Sequence, residues 1–161
     1  MNYAVARECG RVEASRYVRV EMDIVAPPER VVGAFLDVEA LRAWWGVEKG
    51  LVEPREGGVW ALAWGVTPGG IASAAVGVVE RVEERELVIG HVVFLSAERP
   101  FLGPTRIRVS VRKKSDVSSV ALTEEGYGEG PEWERTLAES RQGWPSALRE
   151  LKTWLEGAGG R

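Results

Sequence analysis

The sequence predicts an α+β fold in which a curved antiparallel sheet wraps around a long C-terminal helix, with two short helices after the first strand. Three observations carry this. From Pro131 to Glu156, Trp133, Leu137, Trp144, Leu148, Leu151 and Leu155 recur at steps of three, four or seven residues, which keeps them on one face of a helix. Between Gly50 and Thr123, apolar stretches punctuated by Gly, Pro and Asp spell a run of about six strands joined as hairpins. A helical stripe bearing two tryptophans needs a broad apolar surface, and a twisted antiparallel meander supplies one.

Taken in order, Tyr17 to Ile24 alternates strictly, with Val18, Val20, Met22 and Ile24 on one side and Arg19, Glu21 and Asp23 on the other. That is a half-buried strand. Pro27 and Pro28 end it, and Pro28 opens a short helix in which Val31, Val32, Phe35 and Leu36 share a face. A second short helix covers Glu39 to Trp45 and closes at Gly46. Strands are then expected at Leu51–Glu53, Val59–Trp64, Ile71–Val82 and Leu87–Leu95, followed by a hairpin of Thr105–Arg112 and Val117–Thr123. Ala72, Ala74, Ala75 and Gly77 leave room beside their strand for a packed helix or a cavity. Ser96 to Gly103, with Pro100, Phe101 and Leu102, reads as a loop, packed on the sheet edge or lying over an opening. In the terminal helix, Gly143 and Pro145 straddle Trp144 and predict a kink or break between Arg141 and Trp144.

The 161 residues suit a single domain over residues 16–157, preceded by an arm of undefined structure at 1–15 and followed by a frayed end at 158–161. A lone Cys9, expected to be an inert thiol, excludes an internal disulfide framework and a cysteine-rich zinc site. No export signal and no apolar run of about eighteen residues is evident, so a cytoplasmic protein is expected. The net charge of -3 is spread through the chain. Arg106, Arg108, Arg112, Lys113 and Lys114 alternate with apolar residues as the wet face of a strand, so neither nucleic acid nor membrane is expected as a partner.

Particular words in the chain carry a resemblance. They are Ala26-Pro27-Pro28-Glu29-Arg30-Val31, Leu41-Arg42-Ala43-Trp44-Trp45-Gly46, Pro54-Arg55-Glu56-Gly57-Gly58, Gly77-Val78-Val79-Glu80, Leu122-Thr123-Glu124-Glu125-Gly126-Tyr127, and Gly143-Trp144 with Leu148 and Leu151. In this order over residues 16–156 the chain resembles the START-like superfamily, the polyketide cyclase and Bet v-type helix-grip group. Within it the chain looks most like homologues of the activator of heat-shock-protein-90 ATPase. The resemblance implies a helix-grip fold. Two positions depart from the family pattern: His91 stands where a tryptophan is common, and Glu124 where many members have histidine.

Chemistry-bearing patterns are sparse. With one histidine, His91 would have to be the base of any nucleophilic triad, no serine sits in a Gly-x-Ser-x-Gly word, and nothing places Cys9 near it. No ligand pair at i, i+4 suggests a metal, and Gly57-Gly58 and Gly69-Gly70 read as turns rather than phosphate loops. No catalytic residue, cofactor or metal is assigned. What stands out is seven tryptophans. Rings of this size fill a core well, yet they also wall cavities for apolar ligands. Trp45, Trp60, Trp64, Trp144 and Leu148 are the candidate pocket residues, with His91 as its polar group if Leu87, Ile89, His91 and Val93 share a face.

The leading expectation is therefore a module that binds a small hydrophobic or aromatic molecule between sheet and helix. The superfamily resemblance implies an alternative, a cyclase or dehydratase-type enzyme using His91 and Glu124 as acid or base. The family name implies another, contact with the heat-shock-protein-90 chaperone, through an exposed apolar patch around Val92 and Phe94 that would equally serve a homodimer.

Overall fold

The computed structural model describes residues 16–157, so the arm at 1–15 with Cys9 and the end at 158–161 lie outside the described residues. The chain runs β1 (Tyr17–Ile24), α1 (Pro28–Gly33), α2 (Val38–Trp45), β2 (Lys49–Val52), β3 (Val59–Thr67), β4 (Gly70–Glu83), β5 (Glu86–Ser96), β6 (Arg99–Lys114), β7 (Val117–Glu125) and α3 (Pro131–Glu156). The strands form one antiparallel sheet of seven in the order β1-β7-β6-β5-β4-β3-β2. Hairpins explain every neighbour but one: β1 pairs with β7, from Tyr17 opposite Glu125 to Ile24 opposite Ser118, and so ties the start of the fold to its end. The sheet and α3 are the helix-grip arrangement expected from the sequence.

Local chemistry sets the short helices. The Asp37 carboxylate accepts the Ala40 N–H at 2.8 Å and caps α2, while Gly46 ends it at a left-handed φ of 68°. Ala40, Leu41 and Trp44 turn inward, so α2 closes one end of the groove between sheet and α3.

The expected break in α3 does not occur. The helix is continuous from Pro131 to Glu156 with Pro145 inside it. An interior proline costs about 3 kcal/mol, whereas Trp144, Leu148, Leu151 and Leu155 are all buried around it, and each buried leucine alone is worth about 1.5–3 kcal/mol. Packing on both sides of the proline outweighs its local penalty. The expected loop at Ser96 to Gly103 is likewise replaced by strand. β5 extends to Ser96 and β6 begins at Arg99, with Phe94 opposite Leu102 and Ser96 opposite Arg99. Register shifts along this ladder accommodate Pro100 and Pro104, so turn-forming residues here mark irregular pairing rather than its end. The Gly103-Pro104 peptide is cis.

Candidate functional site

Trp45, at the C-terminal end of α2, is the centre of an aromatic cluster. Its ring stacks on Trp44 at 5.2 Å, meets Trp64 edge-on at 5.3 Å, and lies 5.2 Å from Trp144 and 6.2 Å from Trp60. Backbone carbonyls hold three of these rings. Trp44 Nε1 donates to Ala34 O at 2.9 Å, Trp60 Nε1 to Phe35 O at 2.9 Å, and Trp64 Nε1 to Trp45 O at 3.2 Å. Trp144 differs: its Nε1 donates to Glu124 Oε2 at 2.6 Å.

Beyond the cluster the groove is open. A cavity of about 340 Å³ lies between α3 and strands β3 to β7. Trp45, Trp64, Phe94, Leu102, Trp144 and Ala147 form its apolar wall, Glu124 and Ser140 its polar side, and Arg99 and Glu139 its rim. Ala74 contributes to the wall, in line with the room that the small residues of β4 were expected to leave. Gly143 contributes space: a Cβ built there meets nothing within 4 Å. Arg99 clasps Glu139 through two nitrogens, each 2.9 Å from a carboxylate oxygen, and so fastens the β5–β6 hairpin tip to α3.

Glu124 is fully buried, in a strand otherwise facing the core with Val120 and Leu122. Thr105 Oγ1 donates to its Oε1 at 3.1 Å, opposite the Trp144 bond. Burial pushes the carboxyl above the usual carboxylate range, while Trp144, Tyr127, Thr105 and Ser140 pull it back by favouring the charged form. The Tyr127 hydroxyl is buried beside Glu124 and Ser140 without completing a hydrogen bond of normal geometry. Burial first, and then the Glu124 charge, push that phenol upward.

Of the residues singled out from the sequence, Trp45, Trp64 and Trp144 come together on the cavity wall. Trp60, 1% exposed, and Leu148, 0% exposed, pack in the core and do not reach it. His91 lies on the opposite face of the sheet with a side chain 74% exposed, its Nε2 3.6 Å from Glu80 Oε1. The reason is a bulge. The β5–β6 register slips between Ile89 and Val92, His91 takes a left-handed φ of 53°, and the alternation inverts. Leu87, Ile89, Val92 and Phe94 consequently point inward, with Val92 wholly buried and Phe94 on the cavity wall, so these two form no exposed patch. Gly90 is part of the same adjustment, since Glu80 occupies the space where its Cβ would be.

The family description "Activator of Hsp90 ATPase homolog 1-like protein" matches residues 25–156. The chain belongs to this family. No curated protein matches it. Among solved structures, protein MLL2253 from Mesorhizobium loti is 20% identical with a TM-score of 0.68, over 87% of this chain and 96% of that one. The Aha1 dimer from Colwellia psychrerythraea is 17% identical with a TM-score of 0.65, over 90% and 98%. DynU16, a protein in the dynemicin biosynthetic locus, is 18% identical with a TM-score of 0.69; 88% of this chain matches 48% of that longer one. These likenesses establish the fold. In this member of the family no described helix is long and apolar enough to cross a membrane, and no group of described His, Cys, Asp or Glu residues is arranged to hold a metal.

The polar parts of the candidate site have the weakest signal in the sequence. Glu124 stood out as a departure from the family pattern, but its partners Thr105 and Ser140 carry no sequence signal. Nor do Arg99 and Glu139, which are 40 positions apart and meet because the hairpin tip reaches the helix.

Proposed function

We propose that this chain binds a small, largely apolar molecule in the cavity between α3 and the sheet, with Glu124 orienting the ligand's polar group. The observation that carries the reading is a space of about 340 Å³ with mainly apolar and aromatic walls and one fully buried carboxyl beside it. Pockets of about 300–1,000 Å³ with few, convergent polar groups are typical of small-molecule sites. His91 has no part in this reading, because it faces away from the space.

The test is native mass spectrometry of freshly purified protein, followed by organic extraction and re-addition of what is recovered. Gly143→Leu is the matched control. Its side chain enters the open space rather than displacing core atoms, so the variant is expected to fold, keep its thermal stability and lose the extracted molecule. A folded Gly143→Leu protein that binds the extract as tightly as the wild type would sink the proposal.

A second reading rests on the same carboxyl. A buried carboxyl whose pKa is raised and which borders a cavity is suited to general acid or base chemistry, as in a cyclase or dehydratase. It predicts chemical change of the extracted molecule by the wild type and none by Glu124→Gln. Unaltered recovery of the molecule after prolonged incubation with wild-type protein would remove this second reading and leave the first standing.

A further inference from the structure

We propose that the cavity is selective for an apolar amine in its protonated form, with the ammonium held by the Glu124 carboxylate and surrounded by the aromatic wall. The inference rests on the ligand-binding reading above and names the ligand class.

Three features point the same way. The first is hydrogen-bond polarity. An indole N–H can only donate, so Trp144 requires Glu124 Oε2 to be an acceptor, and the Thr105 hydroxyl donates to Oε1. Both bonds favour the charged form of the group, against the burial that opposes it. The second is charge balance. At the rim, Arg99 and Arg135 meet Glu139, with Glu132 3.9 Å from Arg99, so two cations face two anions there. Glu124 has no such counterpart: among the described residues no lysine, arginine or histidine forms an ion pair with it. Its other near neighbours are the Tyr127 and Ser140 hydroxyls, and Arg141 on α3 acts on Tyr127. An ionised Glu124 thus leaves one negative charge buried beside an empty space, a costly arrangement that a ligand cation offsets. The third is the wall itself. Trp45, Trp64, Trp144 and Phe94 supply aromatic surface, and aromatic rings attract organic cations.

A matched pair of probes tests this: naphthylmethylamine and naphthylmethanol, identical but for the terminal group. Isothermal titration near neutral pH should show the amine binding wild type about tenfold more tightly than the alcohol, the worth of one charge-assisted contact. The amine's affinity should increase as pH rises through the raised Glu124 value and the carboxyl gives up its proton, and the alcohol should show no such increase. Glu124→Gln keeps the shape of the side chain and can still accept from Trp144 and bond Thr105. It should lose the preference for the amine and bind the two probes about equally, while unchanged near-ultraviolet dichroism of the tryptophan cluster shows an intact cavity.

Equal affinity for both probes in wild type, or an amine preference that survives in Glu124→Gln, overturns the amine assignment while leaving the apolar-ligand reading intact. No measurable binding of the amine also overturns it. The apolar-ligand reading fails separately, on the extraction and Gly143→Leu experiment.

Discussion

The two halves of the groove under α3 are built from the same residue type and do different things. Toward α1 and α2, the Trp44 and Trp60 N–H groups end on backbone carbonyls, and the rings close the space between helix and sheet. Toward the β5–β6 tip, the Trp144 N–H ends on the Glu124 carboxyl, and the space stays open. A backbone carbonyl cannot change its protonation state, so a ring tied to one is a structural fixture. A ring tied to a buried carboxyl holds in place a group that can titrate and that faces a cavity. Trp64 stands between the two halves, since its N–H ends on the Trp45 carbonyl while its ring lines the cavity; the partner of the indole nitrogen decides whether a titratable group is held at the site.

The largest expected effect lies in the closed half. Trp60→Ala should cost about 3–5 kcal/mol in chemical denaturation, since a fully buried ring and its bond to Phe35 are both removed. A loss below about 1 kcal/mol would mean that the ring is not the fixture the contrast requires.

A smaller, pH-dependent effect belongs to the open half. Burial raises the Glu124 pKa in the folded protein above its unfolded value near 4.5, so the folded state binds this proton more tightly. The associated stability is fully present below the unfolded value, and is lost as pH rises through the raised folded value. Glu124→Gln removes that slope. Its stability relative to wild type should therefore increase with pH across the acid-to-neutral range, measured as denaturation midpoints in a pH series. Parallel curves for the two proteins would make Glu124 as inert as the backbone carbonyls of the other half.

The smallest effect should come from outside the groove. His91→Gly relieves a left-handed conformation that costs a non-glycine residue about 1–2 kcal/mol, offset in part by glycine's greater freedom when unfolded. Stability should be unchanged or slightly raised, and affinity for the extracted molecule unchanged. Weakened binding in this variant would return His91 to the site.

The elements that could be read from the sequence are those in which periodicity reports burial directly. The alternation of Val18 to Ile24 and the stripe from Leu137 to Leu155 each mark one buried face, and the structure buries those faces. Pro145 misled because its penalty is local, whereas the contacts of Trp144 and Leu148 that outweigh it are with residues distant in sequence. His91 misled for a related reason: alternation carries across a strand only while the register holds, and a bulge at Gly90 and His91 leaves no fixed residue signature. The candidate site was half legible. Three tryptophans could be placed on a common wall from their positions on α2, β3 and α3, but a cavity and a filled core have the same one-dimensional pattern. Space remains where small residues such as Gly143 of α3 and Ala74 of β4 line the groove, and which residues line it is a property of the assembled layers.

The aromatic cluster also has an optical consequence. Trp44 and Trp45 are nearly parallel, 6° apart, and Trp45 is within about a ring's width of three further indoles, so excitation absorbed by one is shared among neighbours. Trp45, Trp64 and Trp144 belong at once to this coupled set and to the cavity wall. The protein therefore carries its own chromophore at the site, and an occupant touching any of the three rings will register in the near-ultraviolet dichroism and emission of the whole cluster.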